Sequence, residues 1–371
     1  MANRLHGRSR GRRVFVGLAA GVALLALAVW LAFQLSPWPS VLLVRHAFGQ
    51  GSEQASAALE KHVPAGVREW RDLRYDPADP DGFIDVYAPA DARGPLPTVL
   101  WIHGGAFISG DKADVANYAR ILAAQGFVVA SVQYTLAPEA RYPTPLRQVN
   151  RALGWLAGAP DGLPVDPSRL VLAGDSAGAQ LAAQLAAALS EPGYAKRIGL
   201  VPSLPPGQLA GTLLFCGPFD ARLVAGEGAF GDFLATVFWS YFGERNFARV
   251  PAAAEFSVPA HVTPAFPPSF ISAGNADPLL PHSEALAAAL AQQGVRVDTL
   301  FFPADHSPAL GHEYQFDLDG EAGREALARS VAFLRSLGAG DAAAPPAISS
   351  PEASPASARA GSGRSGAPAS R

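Results

Sequence analysis

The chain has 371 residues, of which 49% are apolar and 16% charged, and its formal net charge is −3. That balance gives no reason to expect a nucleic-acid partner. A single cysteine, Cys216, excludes an intrachain disulfide and a cysteine-based metal site. It lies in the apolar run GTLLFCGPFD, where it reads as an inert core thiol.

Five arginines, at positions 4, 8, 10, 12 and 13, precede VFVGLAAGVALLALAVWLAFQL, residues 14–35, which carries no charge. As a helix this stretch is about 33 Å long, enough to cross a bilayer core. It is expected to be a signal-anchor, with residues 1–13 as a basic cytoplasmic n-region and the remaining chain periplasmic or extracytoplasmic. The competing reading is a cleaved signal peptide, with Ala26-Leu27-Ala28 as the small-residue site and a secreted or periplasmic product. The start RRVFVG also resembles a twin-arginine export signal.

Residues 36–75 are mixed in character and read as a connection that folds back as an N-terminal cap. The period then changes. FIDVYAP (83–89) alternates as a half-exposed strand, and TVLWIHGG (98–105) and FVVASVQY (127–134) are continuous apolar runs of buried parallel strands. Between them DVANYARILAAQG has helical spacing and stops on Gly126. PLRQVNRALGWLAG predicts a helix, RLVLAG (169–174) a strand, AGAQLAAQLAAALS (177–190) a helix and LAGTLLFC (209–216) a strand. After a Phe-rich irregular region come strand SFISAG (269–274), helix HSEALAAALAQQG, strand VRVDTLFF and a last helix from about Glu321 to Leu337. Strands alternating with helices specify an α/β fold, a mostly parallel sheet with helices on both faces. The tail, 338–371, is Ala/Pro/Ser/Gly-rich and is expected to be disordered.

The chemistry-bearing motif is Gly174-Asp175-Ser176-Ala177-Gly178, a G-x-S-x-G between an apolar strand and an Ala-rich helix. A sharp strand-to-helix turn lifts the serine hydroxyl beyond the sheet end, with a helix N-terminus behind it. A neutral serine needs a base and the base needs an orienting acid. In the chain order Ser, Asp, His, the acid is Asp277 in ISAGNADPLL, just past a strand, with Asp220 in CGPFD as its rival. The glycines of WIHGGAFISG allow backbone amides to turn inward, so Gly104, Gly105 and Ala106, with Ala177, are the expected oxyanion hole. His103 precedes the serine and has no second ligand at metal spacing, which leaves it a scaffold role.

HGGAF, YTLAPEARYP, DPSRLVLAGDSAG and NADPL, in this order and spacing, resemble the hormone-sensitive-lipase-like branch of α/β-hydrolases over roughly residues 80–337. The layout, with an N-terminal anchor, is similar to that of the membrane-anchored arylacetamide deacetylases. The resemblance implies an α/β-hydrolase domain over 76–337, no cofactor and no metal, and a serine carboxylesterase acting on small to medium acyl or aryl esters. It further implies a cap insertion at about 218–264, whose aromatic residues either line the cleft or pack the core. Amide, lactone or polysaccharide-acetyl hydrolysis remains open with the same residues. So does a non-catalytic ligand-binding role, since plant gibberellin receptors also resemble this family.

The chain departs from the family at the histidine. Members usually carry His-Gly-Phe after the last strand, whereas this loop reads FFPADHSPALGHEYQF. Counted from Asp277 the base is His306; counted back from the last helix it is His312. Pro308 and Gly311 mark PADHSPALG as a lengthened loop, and the expected base is His312.

Overall fold

The computed structural model describes residues 3–224 and 228–337, with side chains described from Val14 onward. The tail expected to be disordered lies outside the described residues, as do the side chains of the basic n-region.

Eight strands form one sheet in the order β1-β2-β4-β3-β5-β6-β7-β8. They are β1 (Val67–Arg74), β2 (Phe83–Pro89), β3 (Leu96–Ile102), β4 (Val128–Val132), β5 (Val165–Asp175), β6 (Leu209–Phe215), β7 (Ser269–Ala273) and β8 (Val297–Phe301). The pairs β1/β2 and β2/β4 are antiparallel and all others parallel. The sheet is an α/β-hydrolase fold. β3, β4 and β7 are buried at nearly every position, as strands covered on both faces must be.

The helices are α1 (Asn3–Leu35), α2 (Trp38–Glu60), α3 (Ala116–Ala123), α4 (Thr144–Ala157), α5 (Ala177–Ser190), α6 (Pro192–Arg197), α7 (Ala229–Phe242), α8 (Pro251–Phe256), α9 (Leu280–Gln292) and α10 (Glu321–Ser336). Two buried apolar clusters flank the sheet. One holds α4, α5 and the α7–α8 region, and the other holds α3 and α10. No residue of 14–35 in α1 is buried.

Two elements differ from the expectation. β1 was not expected because VREWRDLR places Val67, Trp70 and Leu73 three apart, a helical rather than a strand period. The structure shows a register shift between Trp70 and Leu73, with Asp72 at φ 53°. The extra residue keeps Trp70 and Leu73 on one face of the sheet, while Val67 packs against the opposite apolar cluster. The connection 36–75 also contains a 23-residue helix, α2. Gly49 and Gly51 obscure its periodicity, while its buried anchors, Val41 and Leu59, sit near its two ends.

Register fixes where chemistry gathers. Ile102 at the end of β3 pairs with Gly174 on β5, Asp175 with Phe215 on β6, and Phe215 with Ser272 on β7. The loops leaving these carboxyl ends therefore emerge side by side, the position at which open α/β sheets bind ligands.

Candidate active site

Ser176 sits between β5 and α5 at φ 50°, ψ −119°. A non-glycine residue held there costs about 1–3 kcal/mol and persists only where its surroundings impose it. Here Ser176 N donates to Phe215 O at 2.8 Å. The turn can close because position 178 is glycine: a Cβ there would collide with the carbonyl oxygen of Ile102 on β3. Among the described residues seven non-glycine residues have positive φ, and five of them (Ala106, Phe107, Ser176, Cys216 and Glu313) belong to the loops that meet at this end of the sheet.

The structure brings together Ser176, His312 and Asp277. His312 Nε2 is 3.0 Å from Ser176 Oγ, and Nδ1 is 2.9 Å from Asp277 Oδ2. Asp277 is buried, and its other oxygen accepts from Leu279 N at 2.8 Å. Burial disfavours the imidazolium of His312, but the adjoining sulfur of Cys216 and the Asp277 carboxylate outweigh it, so its pKa stands well above 6.5.

His306 is elsewhere. Its ring packs on Phe302 with centroids 4.6 Å apart, and its carbonyl accepts from Asn275 Nδ2 at 3.1 Å. Asn275 Oδ1 also accepts from Leu310 N at 2.8 Å, and Ala276 N donates to Leu310 O at 2.9 Å. The segment 303–311 is thus stitched to the loop carrying Asp277, and its extra length is absorbed before position 312. Asp220 is also turned away: its carboxylate receives Arg222 Nε and Nη2 at 2.9 and 2.6 Å.

The loop after β3 wraps in front of Ser176. Gly105 has φ 98°, a conformation that favours glycine, and Ala106 follows at φ 56°. One expected donor is corrected. Gly104 N donates to Asp175 Oδ2 at 2.8 Å, so this amide is already paired inside the protein. Gly105, Ala106 and Ala177 donate to no other backbone or side-chain group among the described residues. His103 is fully buried, stacks on Tyr134 at 4.3 Å, and has its pKa lowered by burial to about 4. Its neutral Nδ1–H is 2.9 Å from Gly104 O, which braces the same loop.

Two residues went unremarked in the sequence. Asp175, the variable residue of G-x-S-x-G, is buried and accepts from both Trp101 Nε1 and Gly104 N at 2.8 Å. Burial first, and the charge of Glu313 second, raise its carboxyl pKa, while the two N–H donors, which need both oxygens as acceptors, favour the carboxylate. The available signal was a tryptophan in an otherwise aliphatic strand, since a buried indole N–H needs an acceptor. Glu313 is the other: its Oε1 is 3.7 Å from His312 Nε2, where the family motif has glycine.

Cys216 Sγ, a carboxylate oxygen of Asp277 and a ring nitrogen of His312 lie within 4.8 Å of one another. Burial raises the thiol to about 11, and the other two already bond each other. A metal bound there would have to break that bond and displace a proton.

Above Ser176 lies a cavity of about 520 Å³. Its walls are the loop after β3, α2 through Phe48 and Leu59, α7 through Phe230, Phe233 and Phe238, and Leu279. The aromatic residues of 218–264 divide between two tasks. Phe230, Phe233 and Phe238 face the cavity, while Phe219 and Tyr241 are wholly buried, Tyr241 stacking on Phe107 at 4.2 Å.

Residues 99–307 match the α/β-hydrolase-fold family. A carboxylesterase of Mycobacterium tuberculosis, NlhH, is 31% identical over 275 residues, covering 69% of this chain and 79% of its own. Among solved structures, esterase B from Lactobacillus rhamnosis superposes with a TM-score of 0.70 at 25% identity, over 81% of this chain and 95% of that one. A hyperthermophilic esterase from the archaeon Pyrobaculum calidifontis gives 0.64 at 26%, over 84% and 96%. The chain belongs to the α/β-hydrolase family, in its hormone-sensitive-lipase-like branch, and is a carboxylic ester hydrolase.

Proposed function

We propose that Ser176, His312 and Asp277 form a catalytic triad that hydrolyses small to medium acyl or aryl esters through an acyl-enzyme. The observation that carries this reading is the unbroken chain of contacts from Ser176 Oγ through both ring nitrogens of His312 to Asp277. Nε2 takes the serine proton as Oγ attacks the ester carbonyl. The carbonyl oxygen becomes an alkoxide facing the amides of Gly105, Ala106 and Ala177, each such donor contributing about 3–4 kcal/mol to the transition state. Asp277 fixes the tautomer and stabilises the imidazolium. That imidazolium returns its proton to the leaving alcohol, and neutral His312 then activates water to release the acid.

The aromatic walls of the cavity favour an acyl chain or aryl ring over a sugar. Mixed with excess 4-nitrophenyl butyrate, the chain is expected to release a burst of 4-nitrophenol equal to the enzyme, then turn over. The matched anilide and a lactone should react more slowly. Tight binding without release, or a preference for the anilide, contradicts this reading.

We further propose that α1 is an uncleaved anchor with the hydrolase domain on the extracytoplasmic side. Support comes from the 22-residue, largely apolar stretch Val14–Leu35, unburied in the structure and long enough to cross a membrane, a test that signal sequences also pass. Protease added to intact spheroplasts should digest the domain; protection of the domain contradicts the orientation.

A further inference from the structure

Beyond residue 35, the exposed large apolar side chains among the described residues are Trp38, Leu42, Leu43, Phe48, Val201, Leu223 and Phe230. Isolated exposed apolar residues are ordinary, but four of these seven fall on the first three turns of α2. Val41 on that helix is fully buried against the domain, while Leu42 and Leu43 are 58% and 63% exposed. His46 is the exposed polar residue of this stretch; apart from it the helix start is apolar on its inner and outer faces alike, a surface not built to meet water. Further along, the exposed positions become Gln50, Glu53 and Gln54. The one guanidinium in the apolar part, Arg45, is drawn inward by Glu139 at 2.6 Å and by Ile108 O at 2.7 Å.

The placement of this face is fixed by its neighbours. Only Ser36 and Pro37 separate α1 from α2, and Ser36 N still donates to Ala32 O at 3.1 Å. Arg245, just past α7, donates to Gln34 O at 3.0 Å and ties the cap to the end of α1. At 1.5 Å per residue, Leu43 is about 12 Å of helix from Leu35, within the interfacial zone if α1 spans the bilayer. Phe48 and Phe230 are each both exposed and part of the cavity wall, and Phe48 contacts Phe233 at 5.7 Å. The cavity mouth therefore opens beside the apolar face.

We propose that the first three turns of α2, with Phe230 at the start of α7, lie in the lipid surface, so that the cavity takes lipophilic acyl esters sideways from the bilayer. This rests on the reading of α1 as an anchor. It makes the bilayer part of the substrate's route: a partitioned ester is concentrated at the mouth, whereas a water-soluble one arrives from bulk.

The full chain in phosphatidylcholine vesicles, checked by flotation, is compared with Leu42→Glu/Leu43→Glu on two esters. On bilayer-dissolved 4-methylumbelliferyl dodecanoate the double variant should lose roughly tenfold in rate, because charge on the apolar face weakens interfacial seating. On water-soluble 4-nitrophenyl acetate it should match the parent. Equal rates on both esters overturn the proposal. Independently, a dye on Leu43→Cys should be quenched by nitroxide lipids and a dye on Gln54→Cys should not, Cys216 being wholly buried. Equal quenching at both positions, or none at either, overturns it even where the double variant is inactive. Failure to float removes the anchor and this inference together. Absence of acetate hydrolysis removes the esterase mechanism alone and leaves the quenching result to decide.

Discussion

His312→Ala is expected to lower kcat on a short acyl ester by about four to six orders of magnitude, while His306→Ala stays within about threefold of the parent, as loop substitutions generally do. The difference follows from where the two rings stand. His312 touches Ser176 and Asp277 at 3.0 and 2.9 Å, whereas the His306 ring lies on Phe302. A second measurement uses the raised pKa of His312. The proton-accepting form is the neutral imidazole, so kcat/KM should fall as pH drops through that pKa, with its acidic limb above 6.5 rather than below. The direction is the test: a limb below 6.5 means that burial outweighs the neighbours that stabilise the imidazolium, Asp277 among them. Near-normal turnover by His312→Ala, with loss in His306→Ala, reverses the assignment.

Much of this site was legible in the residues because its geometry is local to single turns. G-x-S-x-G between a strand and a helix dictates the elbow, and NADPL directly follows a strand, so its loop begins at the correct end of the sheet. The α/β fold was equally open to reading, since continuous apolar runs leave little choice for β3, β4 and β5. What resisted reading was non-local. The bulge that keeps Trp70 and Leu73 on one face of β1 is set by pairing with β2. Gly104 looked like an oxyanion donor until the carboxylate of Asp175, 71 positions away, claimed its amide. The histidine question turned on whether the extra loop residues pack before or after the base. Asn275 holds Leu310 and the His306 carbonyl, contacts that periodicity cannot express.

Asp175→Asn is expected to lower kcat by about two to three orders of magnitude, the effect of losing one oxyanion donor, with KM changed far less. Asp175 touches no reacting atom; it positions the loop that does. Its two oxygens accept from Trp101 Nε1 and Gly104 N, and an asparagine can accept with only one of its two terminal atoms. Either the indole or the Gly104 amide would then face an NH2 group in a buried site, at a cost of about 1–3 kcal/mol. Relief by moving the loop carries the Gly105 and Ala106 amides off the alkoxide, whereas the walls that α2 and α7 contribute to the cavity keep their shape. Trp101→Phe separates the two partners, since it removes one donor and leaves the carboxylate free to hold Gly104; its kcat should stay within about tenfold of the parent. Burst amplitude counts correctly folded sites, so a variant that is merely unstable loses burst and rate together. Asp175→Asn should instead keep its burst amplitude while both acylation and deacylation slow. A variant with full kcat, or one whose entire loss is in burst amplitude, would show that Asp175 is a packing residue and that the oxyanion loop holds its form without it.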